Sequence, residues 1–222
     1  MKCKKCNQRC IKHGKTIKGN QRYYCKTCKK AQQEKYLYNA YKKDININLV
    51  SLLKEGCGIR SIARLLKISP TTTIRKILLI SNQIKSPSIV MGKMYEVDEL
   101  CTYIGNKNRK RWVAYSLRKD TKEVVNFAVG TRTKRTLKQI INSLLLSKAK
   151  TIYTDKLNIY KSLIPEEIHN STQYKINHIE RKNLTLRTHL KRLNRRTICF
   201  SKSMIMLTAC LKIYFWGKVA IN

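Results

Sequence analysis

YEVDELCTYI, residues 95–104, embeds the acids Glu96, Asp98 and Glu99 in an apolar and aromatic run, and the C-terminal half of the chain is ordered outward from it. Runs rich in Val, Ile and Tyr bounded by turn residues read as strands. RWVAYSLR (111–118) and EVVNFAVG (123–130) are two more, separated by the polar turn KDTK (119–122). Three consecutive strands with short connections imply an antiparallel meander. TLKQIINSLLLS (136–147) follows with Leu137, Ile140, Ile141, Leu144 and Leu145 at helical spacing. Next, TIYTD (151–155) is a short apolar strand ending in Asp155, which the crossover makes parallel to a neighbour in the same sheet. IERKNLTLRTHLKRL (179–193) is a basic helix with Glu180 at its start. The expected fold class is therefore α+β and multidomain, with a C-terminal α/β domain on a mixed sheet over residues 94–222.

The charge balance isolates those acids. Of 222 residues, 48 are Lys or Arg and 12 are Asp or Glu, a net charge of +36 with cations spread from Lys2 to Lys218. Such a field favours polyanions, nucleic acid first, through phosphate contacts and counterion release. A carboxylate kept beside bound phosphate is repulsive unless a divalent cation neutralises it. Apolar residues make up 42% of the chain, enough for real cores and too many for a disordered polycation. MKCKKCNQRC (1–10) has no apolar leader segment. The most apolar stretch, Met204 to Trp216, is too short for a membrane span, contains Lys212 and reads as a buried helix. A cytoplasmic chain with no membrane partner is expected, and its clustered thiols then point to metal rather than disulfides.

Cys3-x2-Cys6 and Cys25-x2-Cys28 are two such pairs, with 18 residues between them. That is the spacing of a two-knuckle zinc site, in which each CxxC turn offers two thiolates to one tetrahedral ion. KTIKGNQRYYC (15–25) between them reads as a hairpin turning at Gly19-Asn20. So short a segment has little core, so a structural Zn2+ would supply its folding energy. Cys10 and His13 are spare donors, and a redox-active pair is the competing reading. Residues 1–34 are expected as a zinc ribbon.

NINLVSLLKEG (46–56), IRSIARLLKIS (59–69) and PTTTIRKILLIS (70–81) carry three helical patterns. Ser69 suits the capping position and Pro70 the first helical one. The polar first turn of the third helix, with Thr71, Thr72, Arg75 and Lys76 as the candidate DNA contacts, is the arrangement of a recognition helix. A helix-turn-helix over 44–81 is expected, and a generic three-helix packing unit is the alternative. SNQIKSPSIVMG (81–92) has the Ser, Pro and Gly of a linker, taken as 82–93.

The order of three strands, helix, strand, irregular segment and helix looks like the ribonuclease H-like fold. The chain also resembles the transposases of the insertion-sequence-one family. The resemblance rests on EVDEL, on GNKNRKRWVAYSLRKDTKEVV (105–125), on Thr154-Asp155 followed by Ile159-Tyr160, and on HIERKNLTLRTHLKRLNRRTICFSKS (178–203). It implies a D-D-E enzyme that cuts at the ends of a mobile element and joins 3′ hydroxyls to target DNA. Asp98, Asp155 and Glu180 are then the catalytic ligands of Mg2+ or Mn2+, with 24 residues between the last two. It further implies double-stranded DNA as partner, a homodimer or higher assembly, and a nucleoid-associated life in a bacterial or archaeal cytoplasm. Each acid also has an ordinary reading: Asp98 competes with Glu96 and Glu99, which are taken as salt-bridge partners, Asp155 could cap a turn, and Glu180 could pair with Arg181 or Lys182. His178 is taken as a surface residue and Trp112 as core. On the helix, Arg181, Lys182 and Arg187 are candidates for positioning phosphate, with Asn183 and Thr188 as neutral contacts. The rival functional reading is a non-catalytic DNA-binding regulator or an inactive copy.

Overall fold

The computed structural model describes residues 1–34, 36–172 and 175–218. The last four positions of the expected 94–222 domain lie outside the described residues. The chain divides into two compact units, Met1–Ile45 and Asn46–Asn222.

The first unit is a three-stranded antiparallel sheet in the order β1 (Ile11–Lys15), β2 (Gln21–Cys25), β3 (Lys30–Gln33). The β1–β2 turn needs Gly19, whose φ of +80° lies in the left-handed region. Strand β3 was not foreseen from its sequence, because KAQQ carries no apolar alternation; its pairing with β2 creates it. The buried cluster here is made of Cys3, Cys10 and Cys25 with Tyr23, Cys6 and Cys28 against them. Sulfur stands where a larger domain would have aliphatic side chains.

The second unit begins within α1 (Ile45–Lys54), followed by α2 (Ile59–Leu65) and α3 (Pro70–Gln83). Ser69 caps α3 by accepting the Thr72 amide at 3.1 Å, with Pro70 in the first turn. Leu49, Val50, Leu53, Ile62 and Ile77 close these helices over a core that also takes Met206, Ala209, Cys210 and Ile213. Those four belong to the C-terminal helix, so the three helices share a core with the rest of the unit. At the end of α1, Gly56 adopts φ +76°, and a Cβ there would collide with the carbonyl of His189.

The five-stranded mixed sheet comprises β4 (Met94–Ile104), β5 (Asn106–Arg118), β6 (Val124–Gly130), β7 (Thr151–Tyr153) and β8 (His169–Asn170), in the order β6-β5-β4-β7-β8. The β4–β5 and β5–β6 pairs are antiparallel, while β4–β7 and β7–β8 are parallel. Helix α4 (Lys134–Leu146) carries Leu137, Ile140, Ile141 and Leu144 onto one face, against Tyr95, Val97, Ala114 and Ile152. Tyr160, from the single-turn helix α5 (Asn158–Lys161), joins them. On the other face, α6 (Asn177–His189) and α7 (Met204–Trp216) set Ile179, Leu186, Leu207 and Leu211 on Leu100, Val113, Tyr115 and Leu117. Helix α7 therefore faces the sheet on one side and α1–α3 on the other. This explains why MIMLTACLKIYFW is apolar all round instead of striped. Among the described residues, no helix is long and apolar enough to cross a membrane.

Candidate active site

Strand β4 alternates its acids between the two faces of the sheet. Glu96 and Asp98 turn toward α6, and Glu99 turns toward α4 and α5. Strand β7 runs parallel to β4 with Met94 opposite Thr151 and Glu96 opposite Tyr153. Continuing that register past Tyr153 brings Asp155 abreast of Asp98. Carboxylate oxygens of Asp98, Glu99 and Asp155 lie within 4.8 Å of one another.

Glu180 lies outside this group. On α6 the inward positions are Ile179, Asn183 and Leu186, three to four residues apart, with buried Leu190 just past its end. Glu180 is one residue along from Ile179, which turns it by about 100° onto the exposed side. The α6 side chain that reaches the acids is Asn183, whose Nδ2 donates to Asp98 Oδ2 at 2.6 Å. The hydroxyl of Tyr115 donates to Asn183 Oδ1 at 2.9 Å and fixes the amide's orientation.

Asp98 accepts the Glu99 amide at Oδ1, 2.7 Å away. Burial pushes its carboxyl up to about 6, the neighbouring charges of Glu99 and Asp155 add to that, and the amide donors of Glu99 and Asn183 oppose it. Burial also raises Glu99, whose side chain is 1% exposed, against the pull of Tyr160 and Arg132. The Tyr160 hydroxyl donates to Glu99 Oε1 at 2.6 Å and Arg132 Nη2 to Oε2 at 3.1 Å. The same guanidinium lies 3.7 Å from Asp155 Oδ2, while Asp155 Oδ1 accepts the Leu157 amide at 3.1 Å. Three carboxylates this close repel one another when ionised, and a cation between them relieves that repulsion. Oxygen donors of this type suit Mg2+ or Mn2+.

Glu96 is fully buried and does not join the group. It accepts the Ile179 amide at 2.8 Å, meets His178 Nδ1 at 2.8 Å and faces Lys119 Nζ at 3.8 Å. His178 is thus a partner of Glu96, and Glu96 anchors the start of α6 to β4. Trp112 is half-buried and carries Arg132 over its ring, 4.5 Å from the centroid. Arg132, Tyr160 and the inward turn of Asn183 are the site features that sequence reasoning missed. Only the four-residue step from Ile179 to Asn183 carried a signal.

Other candidate residues take varied positions. Thr71 and Arg75 are exposed on α3, Thr72 is half-buried, and Lys76 Nζ donates to Asn46 Oδ1 at 2.9 Å. On α6, Arg181 is exposed and Lys182 half-buried. Arg187 has a buried Nη1 with no hydrogen-bond partner among the described residues.

In the first unit, Cys3, Cys6, Cys25 and Cys28 bring their sulfurs within 4.8 Å of one another. Each pair ends in a left-handed residue, Asn7 at φ 59° and Lys29 at φ 52°, so the two turns are alike. The Lys5 amide points at the Cys3 sulfur and the Cys28 amide at the Cys25 sulfur, both at 3.4 Å. Amide donors, that of Cys6 foremost, draw the Cys3 thiol down to about 6, and the Cys28 amide lowers Cys25. Cys28 is pushed up to about 12 by its hydrogen bond with Cys6 and by burial. Four crowded thiols cannot all ionise without a cation, and this donor set fits Zn2+. Cys10 is buried nearby but outside the group.

The IS1 transposase family matches residues 90–218. The iso-IS1n protein InsB of Shigella dysenteriae is 34% identical over 114 residues, covering 51% of this chain and 87% of the relative. InsB of the Shigella flexneri element IS1 is 36% identical over 109 residues, 49% of this chain and 83% of the relative. Among solved structures, the magnesium complex of the HTLV-2 integrase catalytic core is 14% identical with a TM-score of 0.36, covering 58% of this chain and 86% of that one; a likeness that distant carries no argument about chemistry. A match spanning β4 through α7, over more than half of the sequence, is decisive: the chain belongs to the IS1 transposase family.

Proposed function

We propose that the protein is a metal-dependent DNA transposase that binds the ends of its element, cuts there and joins the freed 3′ hydroxyls to target DNA. The observation that carries this is the register-matched pair Asp98 and Asp155, two of only 12 acids in a chain of net charge +36, inside the segment matched by the IS1 transposase family. In this reading the domain around them is ribonuclease H-like. Asp98 and Asp155 would hold Mg2+ or Mn2+, and the bound ion would supply Lewis-acid activation of the attacking oxygen and charge stabilisation of the leaving one for displacement at phosphorus. The nucleophile is water or a DNA 3′ hydroxyl, and no covalent protein intermediate forms. Asp98, backed by Asn183, and Asp155, backed by the Leu157 amide, bring carboxylate oxygens within 4.8 Å of each other. Glu180 is the third acid by its place in the sequence alone; in the first turn of α6 its side chain is exposed and stands outside the Asp98–Asp155 pair, so its part in the reaction is what Glu180→Gln tests.

Around that centre, Arg181, Lys182 and Arg187 position phosphate. Helices α1–α3 act as a helix-turn-helix, with Thr71, Thr72, Arg75 and Lys76 on the DNA side. The thiol cluster holds a structural Zn2+. Two element ends require at least two chains, working in the nucleoid of a bacterial or archaeal cytoplasm. The exposed carboxylate of Glu180 also favours a second reading, a DNA-binding regulator or inactive copy that does not cut. End-binding and strand-cleavage assays on Asp98→Asn, Asp155→Asn and Glu180→Gln separate the two. Loss of cleavage with binding intact in all three supports the transposase; cleavage that survives a change removes that acid from the site; a wild-type chain that binds ends and never cuts is the regulator.

A further inference from the structure

We propose that Arg132 is the positioning residue of the acid group: it holds Asp155 and Glu99 together before a divalent cation arrives and yields Asp155 to that cation. The inference rests on the metal-site reading above. Arg132 lies between the end of β6 and the start of α4, where the Thr133 amide closes onto the Thr131 carbonyl at 2.8 Å. Its guanidinium sits over the Trp112 ring, and Trp112 is paired with Gly130 in β5–β6 and with Cys101 in β4–β5. The cation is thus fastened to the sheet by a ring rather than left to swing in solvent.

Its two acidic contacts are unequal. Nη2 is at hydrogen-bond distance from Glu99 Oε2, 3.1 Å, but 3.7 Å from Asp155 Oδ2, too far for one. Glu99 is further tied by Tyr160 at its other oxygen, so both of its oxygens are taken. Asp155 has Oδ1 engaged by the Leu157 amide and Oδ2 held only by charge. Oδ2 is therefore the oxygen that can turn to a metal ion. Glu99, inside the acid group and held at both oxygens by Tyr160 and Arg132, serves as the fixed post against which Arg132 is braced.

A positive charge beside a ligand oxygen opposes a divalent ion there. Neutralising residue 132 is expected to tighten Mn2+ binding about tenfold, the scale of repulsion between charges of two and one roughly 6 Å apart in a water-like dielectric. Cleavage at saturating Mn2+ is expected to slow at the same time, because Asp155 loses its brace. Arg132→Lys keeps the charge and is expected to bind Mn2+ as the wild type does.

The test is Mn2+ titration of the full-length, zinc-loaded protein without DNA, followed by magnetic resonance of the free ion, for wild type, Arg132→Gln, Arg132→Lys and Asp155→Asn. Tighter binding by Arg132→Gln alone supports the proposal. Equal or weaker binding by Arg132→Gln, with wild-type binding abolished by Asp155→Asn, overturns it and leaves the metal site standing. Wild-type binding that Asp155→Asn does not weaken overturns both. Should Arg132→Gln fail to fold, Arg132→Met, which keeps the stem on Trp112, carries the same expectation.

Discussion

Asn183 donates its side-chain amide to Asp98 across 2.6 Å, and Tyr115 fixes that amide from behind. Three elements, β4, β5 and α6, thereby decide where one carboxylate points. Replacing Asn183 by Ala leaves Asp98 held only at Oδ1, by the Glu99 amide, with Oδ2 unrestrained. Partners of this kind typically contribute about 10–100-fold to metal affinity or activity. A loss in that range is expected for Asn183→Ala in Mn2+ titration and in strand cleavage. Wild-type values in both would show that the contact has no role at the site.

The carboxyl of Asp98 gives the site a pH dependence. Its folded value of about 6 lies above the ordinary 3.8. The metal-free folded protein therefore holds this proton more tightly than the unfolded chain. The resulting stabilisation is fully present below 3.8 and is lost as pH rises through about 6. Cation binding runs the other way, because the ligand must be ionised. Mn2+ affinity is expected to be level above about pH 7 and to fall by up to about tenfold per unit below pH 6. Titrations at stepped pH would show this limb, and undiminished affinity near pH 5 would contradict it.

Zinc removal is expected to act locally. The first unit buries sulfur rather than aliphatic side chains, so a chelator should melt residues 1–34 and spare the sheet from β4 to β8. Limited proteolysis before and after chelation reads this directly: cleavage confined to the N-terminal segment is the expected pattern. Simultaneous loss of both units would contradict it. Metal analysis is expected to give one zinc per chain, abolished by Cys25→Ser.

Gly56 meets two constraints at once, a left-handed backbone and contact with the His189 carbonyl. Gly56→Ala adds about 1 kcal/mol or more of backbone strain and a steric clash that the end of α6 must relieve. A lower midpoint in denaturant is expected, together with weakened cleavage, since α6 carries Asn183. A variant as stable as the wild type would mean that α1 and α6 separate freely.

Much of this architecture was legible because it is local. The apolar run Met204–Trp216 is the helix that was read, and the strand patterns around Asp98 fall in β4, β5 and β6. Paired cysteines at knuckle spacing do gather their sulfurs. Where the reading ran out, rotation or tertiary contact decides. Glu180 and Asn183 are three residues apart and lie on neighbouring parts of the helix surface, so the periodicity of α6 does not tell which of them meets β4; the packing of Ile179 and Leu186 on the sheet turns Asn183 in and leaves Glu180 exposed. Arg132 was one cation among 48 until the sheet laid it on Trp112. The three helices before the sheet were visible by period and caps, but the burial of α7 between them and the sheet was not, since an apolar helix does not name its neighbours.

That burial has a mechanical consequence. Met206, Ala209, Cys210 and Ile213 face α1–α3 while Leu207 and Leu211 face the sheet, so one rod is gripped from both sides. If the proposed reading holds, base pairs met by α3 and a phosphate beside Asp98 would be held apart by a gauge of interlocked side chains instead of a tether. The interval from recognised sequence to cut point would be a fixed length, measured out by the width of a single helix.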